Sequence, residues 1–83
     1  MKIKAVYDNP EFNDRYSVYF GPKNKVNGLT DCLGLSDNPT HPQGFSQFCM
    51  GEPGPHNGQK INFSDLPAKI RAHVRERLSD GRI

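Results

Sequence analysis

Four residues with metal-binding or nucleophilic side chains alternate along the middle of the chain. Cys32, His41, Cys49 and His56 are separated by eight, seven and six residues. Thiolate and imidazole are ligands that zinc prefers in proteins. Zinc motifs usually bring ligands in close pairs, however, and the chain contains no CxxC, CxxH or HxxxH pair. We therefore expect no metal and no cofactor, and keep a Cys/His metal-binding domain as a lesser alternative.

The same residues offer one arrangement for nucleophilic catalysis, namely Cys49 with His41 or His56 as its base. The chain has no phosphate-binding Gly-rich loop, no nucleophile elbow and no paired acidic motif. A chain of 83 residues also has little volume with which to enclose a substrate. We predict that the protein is not an enzyme and assign no catalytic residue.

A long segment rich in Gly and Pro, residues 36–58, surrounds three of these four residues. Gly and Pro supply eight of its 23 residues, and no apolar periodicity runs through it. Phe45, Phe48 and Met50 argue against disorder, because apolar side chains pin a loop to a core. We predict that this segment is an ordered loop and that it forms the binding surface, whose candidate residues are His41, Gln43, Phe45, Gln47, Phe48 and His56. The alternative is that these side chains only satisfy the loop's own backbone groups.

The segments before and after this loop must position it. Alternating or β-branched runs predict strands over 2–7, 16–20, 29–35 and 59–63, with Ile3, Ala5 and Tyr7 on one face of the first. Asp31 would fall on the apolar face of the third strand, so we expect a bulge near Gly34 or a frayed start. The predicted fold is α+β. It is one small domain, 1–83, with an antiparallel sheet of three to four strands in 2–35 and 59–63 and one C-terminal helix.

That helix is predicted over 65–79. Its apolar residues recur every four positions at Leu66, Ile70, Val74 and Leu78, which gives one buried stripe. Ser64 or Asp65 is the expected N-cap, Pro67 suits the first turn, and Gly81 is the expected C-terminal cap. We expect Phe20, Leu33 and Phe63 to pack against Ile70 and Val74.

The net charge of +2 comes from the C-terminal segment. Residues 1–59 hold five basic and six acidic residues, whereas residues 60–83 hold six basic and three acidic ones. Lys69, Arg71 and Arg75 on the helix suggest an alternative function, nucleic-acid binding. Without nucleic-acid binding, the same residues would belong to a solvent-exposed helix whose basic last turns complement the helix dipole.

The composition of the chain also limits the cellular compartment that we expect. No signal-peptide-like apolar run and no stretch of about 18 apolar residues is present, so we expect a cytoplasmic protein that neither enters nor spans a membrane. A Cys32–Cys49 disulfide would need an oxidising compartment that the sequence does not indicate, and we expect two reduced thiols.

Two strings in the chain resemble a family of small uncharacterised proteins from bacteria and their phages or mobile elements. They are NPTHPQGFSQ, from Asn38 to Gln47, and HNGQKINFSDLP, from His56 to Pro67, and the stretch from Asp14 to Phe20 is similar too. The resemblance implies a provenance and no chemistry, since that family carries no assigned activity. By elimination, the sequence favours a small binding or regulatory module whose partner is a protein, and it leaves the oligomeric state open.

Overall fold

A computed structural model describes residues 2–78, which form one five-stranded antiparallel sheet and one helix. The strands are β1 (Ile3–Asp8), β2 (Tyr16–Phe20), β3 (Thr30–Leu35), β4 (Ser46–Gly51) and β5 (Gln59–Ile61), and the helix is α1 (Ala68–Leu78). The order across the sheet is β4-β3-β2-β1-β5. The predicted α+β class, antiparallel sheet and single C-terminal helix are confirmed.

The predicted count of three to four strands is wrong, because residues 46–51 form β4. All six residues of β4 pair with β3, from Ser46 opposite Leu35 to Gly51 opposite Thr30. Three of its six residues are polar or Gly, and only Phe48 packs against the main core. Local propensity and periodicity give little signal for this strand. It forms because its backbone pairs with β3, which is strongly apolar.

The helix covers one face of the sheet. A cluster of ten buried residues joins β1, β2 and β3 to Leu66 and α1, and it includes Phe20, Leu33, Ile70 and Val74. Phe63 packs against this cluster while remaining partly exposed. The predicted stripe and its predicted contacts are confirmed, since a period of four residues keeps one helix face toward the sheet.

The helix begins at Ala68 and not at the predicted residue 65. A single-turn 3₁₀ helix, Phe63–Asp65, precedes it, and Leu66 between them has extended backbone angles. Proline disfavours helical geometry in the residue before it, so Pro67 separates the two elements. The carboxylate of Asp65 accepts a hydrogen bond from the Asn62 backbone N–H at 2.9 Å, so Asp65 acts within the short turn. The predicted helix end and Gly81 cap lie outside the described residues.

Two predictions about the strands need correction. A register shift between Ile3 and Ala5 places Ile3 against the helix-side cluster but Ala5 and Tyr7 on the opposite face, so these residues do not share a face. The expected bulge near Gly34 is absent, because β3 pairs without interruption with both neighbours. The other expectation, a frayed start, agrees with the first residues, since Leu29 lies outside β3 and Thr30 pairs with β4 but not with β2. A Cβ at Gly34 would lie 3.2 Å from the Phe45 ring, so this glycine makes room for a side chain.

The face opposite the helix is crossed by residues 52–58, which we call the strap. The strap connects β4 to β5, and these strands lie at opposite edges of the sheet. Midway across, the Tyr19 hydroxyl of β2 donates a hydrogen bond to Asn57 Oδ1 at 2.9 Å. Four buried residues form a second, smaller cluster on this face: Ala5, Tyr7, Tyr19 and Cys32.

Candidate functional site

A cleft of about 520 Å³ opens at one end of the sheet, between the β1–β2 and β3–β4 connections. Neither connection forms it alone. Phe12 and Arg15 line it from the first connection, and Asp37, His41, Gln43 and Phe45 line it from the second. The cleft therefore brings together three of the predicted binding residues and adds three that sequence reasoning missed, namely Phe12, Arg15 and Asp37.

Arg15 is held in place on the first wall. Its Nε donates to Asp8 Oδ1 at 2.8 Å and its Nη2 donates to Asp8 Oδ2 at 3.2 Å. Its Cζ lies 5.1 Å from the centre of the Tyr16 ring. The hydrogen bond that Arg15 donates to Asp8 is the main cause that raises the pKa of Arg15. A paired and stacked guanidinium keeps its orientation, so its outward N–H groups form a preorganised donor.

Phe12 is the apolar group on the same wall. Its side chain is 58% exposed, although the backbone beneath it is ordered by a bond from Phe12 N–H to the Asn9 carbonyl at 3.1 Å. The sequence signal was available, since Phe12 is the lone apolar residue in a polar connection. It could not be tied to residues 36–45 before the topology placed the two connections side by side.

The second wall is built from tight turns. The His41 N–H bonds to the Asn38 carbonyl at 3.2 Å, and the Gly44 N–H bonds to the His41 carbonyl at 2.7 Å. His41 Nδ1 accepts the Gln43 backbone N–H at 3.1 Å, so the proton of the neutral imidazole lies on Nε2. Phe45 closes the wall, where its N–H donates to Ser36 Oγ at 2.8 Å.

The remaining predicted binding residues lie elsewhere. Phe48 turns toward the helix, with its ring 6.0 Å from that of Phe20 and the Arg77 guanidinium 4.7 Å from its centre. Gln47 is exposed on β4, and His56 lies in the strap, where its Nε2 is 3.3 Å from Asn57 Nδ2. The structure therefore does not unite the six candidate residues into one site.

The four Cys/His candidates for metal or catalysis are divided in the same way. Cys32 and Cys49 face each other across β3 and β4, whereas His41 lines the cleft and His56 lies in the strap. Within residues 2–78, no three His, Cys, Asp or Glu side chains are arranged to hold a metal ion. In the same part of the chain, no hydrogen bond joins Cys49 to either histidine.

The three basic residues proposed for nucleic acid make contacts within the chain. Arg71 Nη1 donates to the Leu66 carbonyl at 2.6 Å and the Ser64 carbonyl at 3.1 Å, which fastens the start of α1. The Arg75 guanidinium lies 5.2 Å from the centre of the Phe63 ring, and Lys69 Nζ donates to Asn38 Oδ1 at 3.4 Å. Each of these contacts is one that a residue on a solvent-exposed helix can make without binding nucleic acid.

His73, which sequence reasoning did not single out, links α1 to β4. Its Nε2 lies 2.8 Å from Ser46 Oγ. Burial is the main cause that lowers the pKa of His73, and the positive charge of Arg77 lowers it further. The neutral ring is favoured in the folded protein, which suits a hydrogen bond at a packed helix–sheet contact.

Comparison of the chain with known protein families, with curated proteins and with solved structures finds no match. The resemblance to a bacterial and phage family therefore remains a prediction. In residues 2–78, no helix is both long and apolar enough to cross a bilayer.

Proposed function

We propose that the protein is a small binding module that holds an extended segment of a partner protein in the cleft between its β1–β2 and β3–β4 connections. The observation that carries the proposal is the cleft itself, with the exposed Phe12 side chain beside it. Its volume lies within the roughly 300–1,000 Å³ typical of ligand sites. The exposed Phe12 ring adds aromatic contact surface at the rim of this cleft.

The lining groups suit a polypeptide. Arg15 and the Nε2–H of His41 offer donors to backbone carbonyls, and Asp37 offers an acceptor to backbone N–H groups. Phe12 and Phe45 provide aromatic surface for one apolar side chain. Aromatic and Arg side chains are enriched at protein interfaces.

Nucleic-acid binding has less support from the geometry. Lys69, Arg71 and Arg75 make the contacts within the chain described above, and a net charge of +2 attracts a phosphate backbone weakly. They also lie on α1, whereas the cleft is lined by the connections of the sheet. We therefore favour binding of a protein partner over binding of nucleic acid.

Photo-crosslinking tests the proposal directly. A photoreactive phenylalanine replaces Phe12 in one variant and Val26 in another, because Val26 is 96% exposed and lies in the β2–β3 connection away from the cleft. We expect a discrete adduct with one protein from Phe12 and none from Val26. Equal labelling at both positions would show that the cleft has no special affinity.

Binding by the purified partner then tests individual side chains. We expect Phe12→Ala and His41→Ala each to weaken binding by about tenfold or more, as hot-spot truncations do. Gln47→Ala is the matched control, because Gln47 is an exposed polar residue on β4 outside the cleft. A loss of binding in the control but not in the cleft variants would move the site to β4.

A further inference from the structure

We propose that Cys32 and Cys49 form a reversible cross-strand disulfide when the protein meets a small-molecule disulfide oxidant. The two residues are direct Cα partners in the β3–β4 ladder, and both thiols are free in the structure. This site concerns the sheet and does not depend on the proposed docking cleft.

The register gives the spacing of the pair. The Ser36 N–H bonds to the Phe45 carbonyl at 2.9 Å, and this pair continues the β3–β4 register by one step. Hydrogen-bonded pairs alternate along an antiparallel ladder, so Gly34–Gln47 and Cys32–Cys49 are hydrogen-bonded pairs too. Such pairs have Cα atoms about 5.5 Å apart. Disulfides join Cα atoms separated by about 4.4–6.8 Å, so the Cα spacing is suitable. Their Cβ atoms must be about 3.5–4.5 Å apart, whereas the side chains of a hydrogen-bonded pair are farther apart than those of a non-hydrogen-bonded pair, so closure draws the two strands together here and leaves a strained, easily reduced disulfide.

The two thiols share a face and differ in access. Directly opposed residues point to the same side of a sheet, and here that is the side away from α1, where Cys32 is buried with Tyr19. Cys32 is 3% exposed, whereas Cys49 is exposed on the outer strand. An oxidant in solution therefore reaches Cys49 first.

The chemistry is two successive thiol–disulfide exchanges. The Cys49 thiolate attacks one sulfur of oxidised glutathione, forms a mixed disulfide and releases one glutathione thiolate. Cys32 then loses its proton and attacks Cys49 Sγ, which forms the protein disulfide and expels the second glutathione. The two electrons reduce glutathione disulfide to two thiols, which also take up the two protons.

Burial makes the second exchange the slower one. Burial is the main cause that raises the pKa of Cys32 to about 12, so little thiolate is present at neutral pH. We expect the mixed disulfide on Cys49 to accumulate near pH 7. Closure should accelerate about tenfold for each unit of pH while the pH is below the pKa of Cys32.

The disulfide would enclose the whole β3–β4 connection, including the second wall of the cleft. Closing a loop of this size restricts the unfolded chain, so we expect oxidation to raise the melting temperature by on the order of 10 °C. Dithiothreitol should reverse both the covalent change and the shift.

Mass spectrometry of the full chain under native conditions tests the proposal. After incubation with oxidised glutathione near pH 9, where closure of the mixed disulfide is faster than at pH 7, we expect a monomer lighter by two hydrogens, with neither thiol open to alkylation. The chain has no Lys or Arg between Lys25 and Lys60, so trypsin leaves both cysteines on one peptide and the loss maps to that peptide. Cys49→Ser should remain unmodified, and Cys32→Ser should stop at the mixed disulfide.

A displaced pair is the matched control. Gln47→Cys combined with Cys49→Ser keeps an exposed thiol on the same face and strand but moves it to a diagonal position. Diagonal neighbours are about 7–8 Å apart, at or beyond the limit for a disulfide. We expect closure at least tenfold slower than in the wild type. Equal rates for the two pairs, or a wild type that keeps both thiols reduced, would overturn the proposal.

Discussion

The two faces of the sheet are covered by different means. On one face, α1 buries Ile70, Val74 and Leu78 against apolar side chains of the three central strands. On the other face, the strap lies over a smaller cluster and is held by hydrogen bonds from Tyr19 and Asn57. Removal of apolar area from water stabilises the first face, whereas the second depends on a few directional contacts.

The difference in cover between the two faces explains where the reactive groups of the molecule lie. The Cys32–Cys49 pair lies on the strap face, and the cleft opens where the connections meet at the end of the sheet. A close-packed helix face has little room for polar or nucleophilic groups, because its packing is near that of a crystal. The thinner cover of the other face leaves Cys49 exposed, although Cys32 and Tyr19 on the same face are buried.

The largest effect should come from truncation on the helix face. Ile70 is fully buried within the main cluster, so Ile70→Ala removes apolar contacts and leaves a cavity. We expect the free energy of unfolding to fall by about 2–5 kcal/mol, measured by urea denaturation. Val26→Ala is the control, since Val26 is 96% exposed and should change stability by less than about 0.5 kcal/mol. Similar losses in both variants would contradict the assigned core.

A smaller loss is expected from the end of the strap. Gly58 has a φ of +110°, and an added Cβ would lie 2.5 Å from the Asp8 carbonyl oxygen. We expect Gly58→Ala to cost about 1–3 kcal/mol, because strain and a backbone clash act together. Gly28→Ala is the matched control: its φ is +73°, but the nearest atom is the end of the Lys23 side chain at 3.6 Å. A cost no greater than that of the control would show that the strap shifts to relieve the clash.

The same contrast explains what the sequence could predict. Periodicity identified the helix stripe and its partners, because a packed apolar face repeats with the geometry of the element. It missed β4, whose residues are mostly polar or exposed and whose pairing partner is set by topology. It also missed Phe12 and Arg15, since nothing local to residues 10–15 indicates that residues 37–45 lie beside them.

The smallest effect should come from one hydroxyl beneath the strap. Tyr19→Phe removes the donor to Asn57 Oδ1 but keeps the buried ring, which stacks edge-on with Tyr7 at 5.9 Å. We expect a loss of about 0.5–1.5 kcal/mol, the usual net value of one hydrogen bond. Burial is the main cause that raises the pKa of Tyr19 to about 12, so the hydroxyl remains a donor up to strongly alkaline pH.

Hydrogen exchange separates a local role for this hydroxyl from a global one. If the bond fastens the strap, amides of residues 52–58 should exchange faster in Tyr19→Phe, while those of α1 change only as far as the small global loss requires. Asn57→Ala should give the same local pattern, and the double variant should lose less than the sum of the two single losses, because both remove one shared contact. Additive losses would mean that the two side chains act separately, and the strap would then be held by its backbone and by the packing beneath it.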